Sequence, residues 1–144
     1  MSSPALLMRI LKLCWIVSAF LFVYVAVKIP VQGGHSMSPA FELVITVVAL
    51  ACIVIGFNTR RFFFRTAGRT SQNSPASVQL RRWMATNIMS LAYFEACILF
   101  GLVLHYLRAR VRLVELLFGV GIVSMLVWSP GAPPGTEEPE FPQA

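Results

Sequence analysis

Glu95 is the residue in this sequence with the clearest potential for chemistry, because it stands alone within the apolar stretch 83–107. A carboxylate in the middle of a bilayer costs about 3 kcal/mol unless it is protonated or finds a polar partner. If the stretch is helical, Asn87 and His105 lie to one side of the face that carries Glu95, so they are its possible polar neighbours. Small residues at Ala92 and Ala96 would let another helix come close to the carboxyl group.

Two interpretations of Glu95 remain open. In the first, the carboxyl group binds an ion and couples its movement across the membrane, since ionisable residues inside membranes usually have a function. In the second, it is protonated and hydrogen-bonded to a neighbouring helix, so that it contributes to packing. The apolar stretches contain no second central acid that would serve as a relay partner.

The remaining candidate ligands and nucleophiles are scattered. His35 and His105 could together ligate a haem or a metal, but no fixed spacing supports such a site, and interfacial histidines are the favoured interpretation. Cys14, Cys52 and Cys97 are isolated, without a C-x-x-C motif, and are expected to behave as small apolar side chains. Phosphate-loop, nucleophile-elbow and zinc motifs are also missing from the sequence. We therefore expect no catalytic site, no metal and no cofactor.

Residues 90–104 show a local pattern of their own, Leu91-Ala92, then Glu95-Ala96, then Gly101-Leu102-Val103. This pattern resembles the ion-carrying helix of rotor-ring proteolipids, the c and K subunits of F-type and V-type ATPases. The resemblance covers 15 of the 144 residues. It implies that Glu95 binds a transported proton or sodium ion. The chain as a whole resembles small bacterial four-helix membrane proteins.

The composition is that of a membrane protein. Hydrophobic residues make up 57% of the chain and charged residues 12%, against about 25% charged in soluble domains. A bilayer core needs roughly 20 consecutive apolar residues in a helix. Four segments approach this length, at residues 10–31, 40–57, 83–107 and 111–128. They predict an all-α polytopic membrane protein whose residues 1–130 form four transmembrane helices as two hairpins. The first segment could also be a signal peptide, but without a convincing cleavage site before Lys28 an uncleaved span is favoured.

The basic residues predict the orientation of these spans. An even number of crossings places both termini on one side, together with the segment 58–82. That side holds eight of the 12 basic residues, namely Arg9, Lys12, Arg60, Arg61, Arg65, Arg69, Arg81 and Arg82. By the positive-inside rule it is the cytoplasmic side, of a bacterial plasma (inner) membrane in our interpretation. The trio Arg108, Arg110 and Arg112 on the other side is unusual under this rule, so either the trio has an acidic partner or the basic residues define the orientation less well than their count suggests.

Two further segments lie outside the spans. Residues 58–82 are predicted to form a basic cytoplasmic loop that contacts anionic lipid headgroups, with docking of an acidic partner as the alternative. Residues 131–144 are rich in proline and glutamate and are predicted to be disordered.

The favoured function is that of a non-catalytic accessory or assembly subunit of a larger membrane complex. Its expected partners are the lipid bilayer and other membrane subunits or further copies of itself, and nucleic acid is not expected. The alternative is a small oligomeric ion or solute transporter with Glu95 as the coupling acid.

Overall fold

The computed structural model describes residues 3–29, 38–67, 76–131 and 133. These residues form four α-helices, and the described part of the chain contains no strand. The helices are α1 (Pro4–Lys28), α2 (Pro39–Ala67), α3 (Ala76–Tyr106) and α4 (Val111–Val127). The predicted all-α class is confirmed. The predicted disordered segment 131–144 lies outside the described residues, apart from Gly131 and Pro133.

α1 begins at Pro4, six residues before the predicted first span, which begins at Ile10. The residues at the N-terminus of the helix explain this earlier start. The Ser3 side chain accepts a hydrogen bond from the Leu6 backbone N–H at 3.3 Å. Pro4 occupies the first turn, where its missing N–H costs nothing. The helix ends at Lys28, whose positive charge suits a helix C-terminus.

The predicted loop over residues 58–82 is largely helical, so its assignment as a loop is corrected. α2 continues to Ala67 and α3 already begins at Ala76, while residues 68–75 lie outside the described residues. Asn58 Nδ2 donates to the Val54 carbonyl at 2.8 Å and Thr59 Oγ1 to the Ile55 carbonyl at 2.7 Å. These side chains bond back along the helix and leave its backbone ladder intact, so α2 continues beyond residue 57, where the predicted span ends.

A tight turn joins α3 to α4. Arg108 adopts a left-handed conformation with φ of 57°. Its N–H donates to the His105 carbonyl at 3.1 Å, and the Ala109 N–H donates to the Leu104 carbonyl at 3.0 Å. These two bonds form a Schellman motif, in which the position of Arg108 usually belongs to glycine.

The helices assemble around α3. α3 packs against α1, α2 and α4, and α4 also touches α1 and α2. Within the described residues α1 and α2 share no contact, although they follow one another in the chain. The predicted arrangement as two hairpins is therefore not confirmed.

The core lies between α3 and its neighbours. Leu91, Phe94, Ile98, Leu117 and Met125 are all fully buried. Three glycines line the helix contacts, with Gly56 of α2 against Phe94, Gly101 of α3 against Leu117 and Phe118, and Gly121 of α4 against Ile98. Small residues at such positions allow the close helix approach on which packing in a membrane depends.

The lengths of the helices indicate a membrane protein. Among the described residues, three helices are long and apolar enough to cross a bilayer, at Pro4–Lys28, Pro39–Thr59 and Ala76–Tyr106. Many large apolar side chains are exposed along α1 and α2, as expected for surfaces that face lipid. α4 has 17 residues and spans about 26 Å, slightly less than the hydrocarbon core of about 30 Å.

Candidate functional site

Glu95 has a hydrogen-bond partner on the neighbouring helix α1. The Ser18 hydroxyl lies 2.8 Å from Glu95 Oε1, close enough for a strong hydrogen bond. Glu95 is half-buried, 19 residues after the start of α3 and 11 before its end. The pair therefore joins α1 to α3 well inside the apolar length of both helices.

The carboxyl group lies at the edge of the packed face of α3. Leu91, Phe94 and Ile98 are fully buried, whereas Ala92 and Leu99 are exposed. Glu95 stands between these two faces, which explains why its side chain is half-buried. Ala92, predicted to admit a close helix beside Glu95, instead lies on the exposed face.

The two predicted polar neighbours of Glu95 lie on the same helix, well separated from it. Asn87 precedes it by eight residues and His105 follows it by ten, which corresponds to about 12 Å and 15 Å along the axis. Asn87 is 1% exposed, and its Nδ2 has no hydrogen-bond partner among the described residues. His105 Nε2 is also buried without a partner there, and its ring packs edge-on to Tyr106 with centroids 5.5 Å apart.

A second polar contact joins α1 to α4. Lys12 Nζ donates to the carbonyl of Leu126 at 3.1 Å and to that of Trp128 at 2.6 Å. The last carbonyls of a helix have no partner within it and carry the negative end of the helix dipole. A lysine ammonium therefore suits this position, and α1 is held to α3 through Ser18 and to α4 through Lys12.

At the other end of the bundle, Glu42 pairs with Arg110. Arg110 Nε lies 3.7 Å from Glu42 Oε2, and the Glu42 side chain is 8% exposed whereas that of Arg110 is 72% exposed. The pair lines a cavity of about 280 Å³, together with Thr46. Glu42 is thus an acidic partner for one arginine of the trio, Arg110. Because Arg110 is so exposed, the pair contributes at most about 1 kcal/mol.

Five of the six basic residues predicted to contact headgroups lie on α2 and α3. Arg61 of α2 is exposed, and so are Arg81 and Arg82 in the first turns of α3. Arg60 and Arg65 have helical backbone, and Arg69 lies outside the described residues.

The other candidate ligands do not come together. Cys14 is exposed, Cys52 half-buried and Cys97 buried, and all three are free thiols. His35 lies outside the described residues. Within the described ranges, no group of three or more His, Cys, Asp or Glu side chains is placed to hold a metal ion.

Sequence reasoning missed two functional contacts, Ser18 with Glu95 and Lys12 with the end of α4. Ser18 is an isolated hydroxyl in an apolar span, which was the available signal for a partner to an isolated acid. Lys12 had been counted only as a topology-determining charge.

These contacts support helix association or the binding of one ion at Glu95. Comparison with family models, with curated proteins and with solved structures found no match to this chain. The fold and the site indicate a small helical membrane protein in which two glutamates, Glu42 and Glu95, have partners within the described bundle.

Proposed function

We propose that this chain is a four-span protein of a bacterial inner membrane that serves, without catalysis, as an accessory or assembly subunit of a larger membrane complex. Its partners are other membrane subunits or further copies of itself. The observation that carries the proposal is the Ser18–Glu95 hydrogen bond of 2.8 Å. It gives the isolated acid a structural task, the joining of α1 to the remainder of the bundle.

The neighbourhood of the pair supports this task. α1 exposes most of its apolar surface and contacts only α3 and α4 in the described part of the chain. Because α1 has few packing contacts, an interhelical hydrogen bond contributes substantially to its attachment, by about 0.6 to 2 kcal/mol in a membrane. The carboxyl group is thereby accounted for without a transported ion.

Direct contacts support a fourth crossing and termini that share one side. Gly101 and Ile98 of α3 pack against Leu117 and Gly121 of α4, so the two helices run antiparallel. Lys12, near the N-terminus, binds the carbonyl of Trp128 just after α4. The excess of basic residues on that side supports a cytoplasmic location for both termini.

The test compares Glu95→Gln and Ser18→Ala with the wild type. The purified full chain is reconstituted in vesicles, and proton and sodium fluxes are measured with entrapped dyes. A structural pair predicts no flux above that of protein-free vesicles for any of the three. Stability in detergent should fall by about 1 kcal/mol or less in Glu95→Gln, which keeps a hydrogen-bonding amide, and by about 1 kcal/mol in Ser18→Ala.

The accessory role itself is tested by purification in mild detergent. A tagged chain should co-purify with the same membrane proteins in stoichiometric amounts, and it should lose them when α1 is detached by combining Ser18→Ala with Lys12→Met. A clean homo-oligomer that carries flux would contradict the proposal.

One observation favours a second candidate function, a small oligomeric transporter. Glu95 is half-buried at the edge of the packed face of α3, so an ion could reach its carboxyl group without opening the core. In that case wild-type vesicles would carry a proton or sodium flux that Glu95→Gln abolishes while the fold is retained.

A further inference from the structure

The two ends of the described chain line an open cavity of about 500 Å³. Arg9 and Lys12 of α1 form one wall, Trp83 of α3 forms another, and the remaining side is lined by Ser129, Pro130, Gly131 and Pro133. None of the lining residues is acidic. The cavity is therefore a cationic site, distinct from the Ser18–Glu95 pair.

Two cationic donors and one buried tryptophan line this cavity. Two of the three N–H groups of Lys12 donate to the carbonyls of Leu126 and Trp128, so the third is available to a ligand. Arg9 lies three residues earlier on the same helix face. Trp83 is 3% exposed, and its indole Nε1 has no hydrogen-bond partner among the described residues. Trp83 therefore forms a rigid apolar wall beside the two cations.

The position along the helices matches the headgroup level of a bilayer. Lys12 precedes Ser18 by six residues and Trp83 precedes Glu95 by 12, which corresponds to about 9 Å and 18 Å along the helix axes. Half of a hydrocarbon core is about 15 Å. If Ser18 and Glu95 lie near the midplane, the cavity reaches from the outer hydrocarbon to the phosphates.

We propose that this cavity binds a phosphate group, either the phosphodiester of an anionic phospholipid or free inorganic phosphate. Two cationic side chains supply donors to an anionic oxygen cluster, and arginine matches phosphate geometry particularly well. The volume lies within the usual range for small-ligand sites and leaves space for a headgroup beside the phosphate.

The experiment uses the full chain in detergent with added phosphatidylglycerol or phosphatidylcholine, and native mass spectrometry counts the retained lipid. Wild type should retain phosphatidylglycerol in clear excess over phosphatidylcholine. Arg9→Gln should weaken this retention about tenfold. Arg112→Gln is the matched control, because Arg112 is exposed at the opposite end of the bundle, and it should retain lipid as the wild type does.

Competition with inorganic phosphate separates the two sources of the ligand. Displacement of phosphatidylglycerol by millimolar phosphate identifies a site for the free anion, whereas persistence identifies a lipid site. Equal retention in Arg9→Gln and Arg112→Gln, or equal retention of the two lipids, would overturn the proposal. The proposal would also be overturned if phosphatidylglycerol bound only after residues 134–144 were removed, because the glutamates of that segment would then be the occupant in the full chain.

Discussion

Gly121 and Gly119 provide a matched test of how closely α3 and α4 approach one another. Both glycines lie in α4, two residues apart. A Cβ at Gly121 would collide with Ile98 Cγ1 and would lie 3.1 Å from Ile98 Cδ1 and 3.3 Å from the Phe94 carbonyl oxygen. A Cβ at Gly119 would meet nothing within 4 Å. We therefore expect Gly121→Ala to destabilise the bundle and Gly119→Ala to leave it unchanged or slightly more stable.

The difference between the two variants isolates the packing contribution. Alanine gains about 1 kcal/mol over glycine in a helix, and this gain applies to both positions. Overpacking a well-filled core costs about 1 to 3 kcal/mol. Ile98 is fully buried, and the Phe94 oxygen belongs to backbone, so neither can move away freely. Gly121→Ala should therefore be about 1 to 3 kcal/mol less stable than Gly119→Ala.

Cys97 supplies the assay. Its Sγ is fully buried and lies 3.7 Å from the Leu117 carbonyl oxygen, between α3 and α4. In a background with Cys14→Ala and Cys52→Ala, a thiol-reactive dye reports the separation of these two helices during heating in detergent. Gly121→Ala should become reactive at a temperature several degrees lower than Gly119→Ala, and Ile98→Ala should reduce the difference because it removes the colliding atoms. Identical melting of the two glycine variants would refute the close approach of α3 and α4.

Two further predictions concern Lys12 and the orientation of the chain. Lys12→Met should destabilise the same thiol-dye background by about 1 to 3 kcal/mol, because two carbonyls at the end of α4 lose their charged donor. Lys28→Met, at the exposed end of α1, is the control and should lose less stability. Equal losses of stability in the two variants would contradict the role of Lys12. A reporter fused after Ala144 should behave as cytoplasmic, and periplasmic reporter activity would contradict the orientation inferred from the basic residues.

The helices were predictable from sequence because a span needs little more than an unbroken apolar stretch. Residues 83–107 meet that requirement and lie largely within α3. The ends of α2 and α3 were less predictable, since polar residues such as Asn58 and Thr59 favour turns in general. Here their side chains bond to carbonyls four residues back, and the helix continues past the expected boundary.

The partner of Glu95 was harder to predict because it depends on which helices touch and on how each is rotated. The sequence placed candidate neighbours on the same helix, where an axial rise of about 1.5 Å per residue keeps Asn87 and His105 apart from Glu95. Ser18 is distant in sequence, and only the packing of α1 on α3 brings the hydroxyl to the carboxyl group. The contact of Lys12 with Trp128, 116 residues away, has the same origin.

Buried polar groups differ in how completely the described residues satisfy them. Lys12, Glu42 and Glu95 each have a partner within the bundle. The buried nitrogens of Trp83, Asn87 and His105, all on α3, have none among the described residues. A buried donor without a partner carries a desolvation cost. A hydrogen bond from lipid or from a neighbouring subunit to any of these three nitrogens would therefore stabilise the bundle by removing that cost.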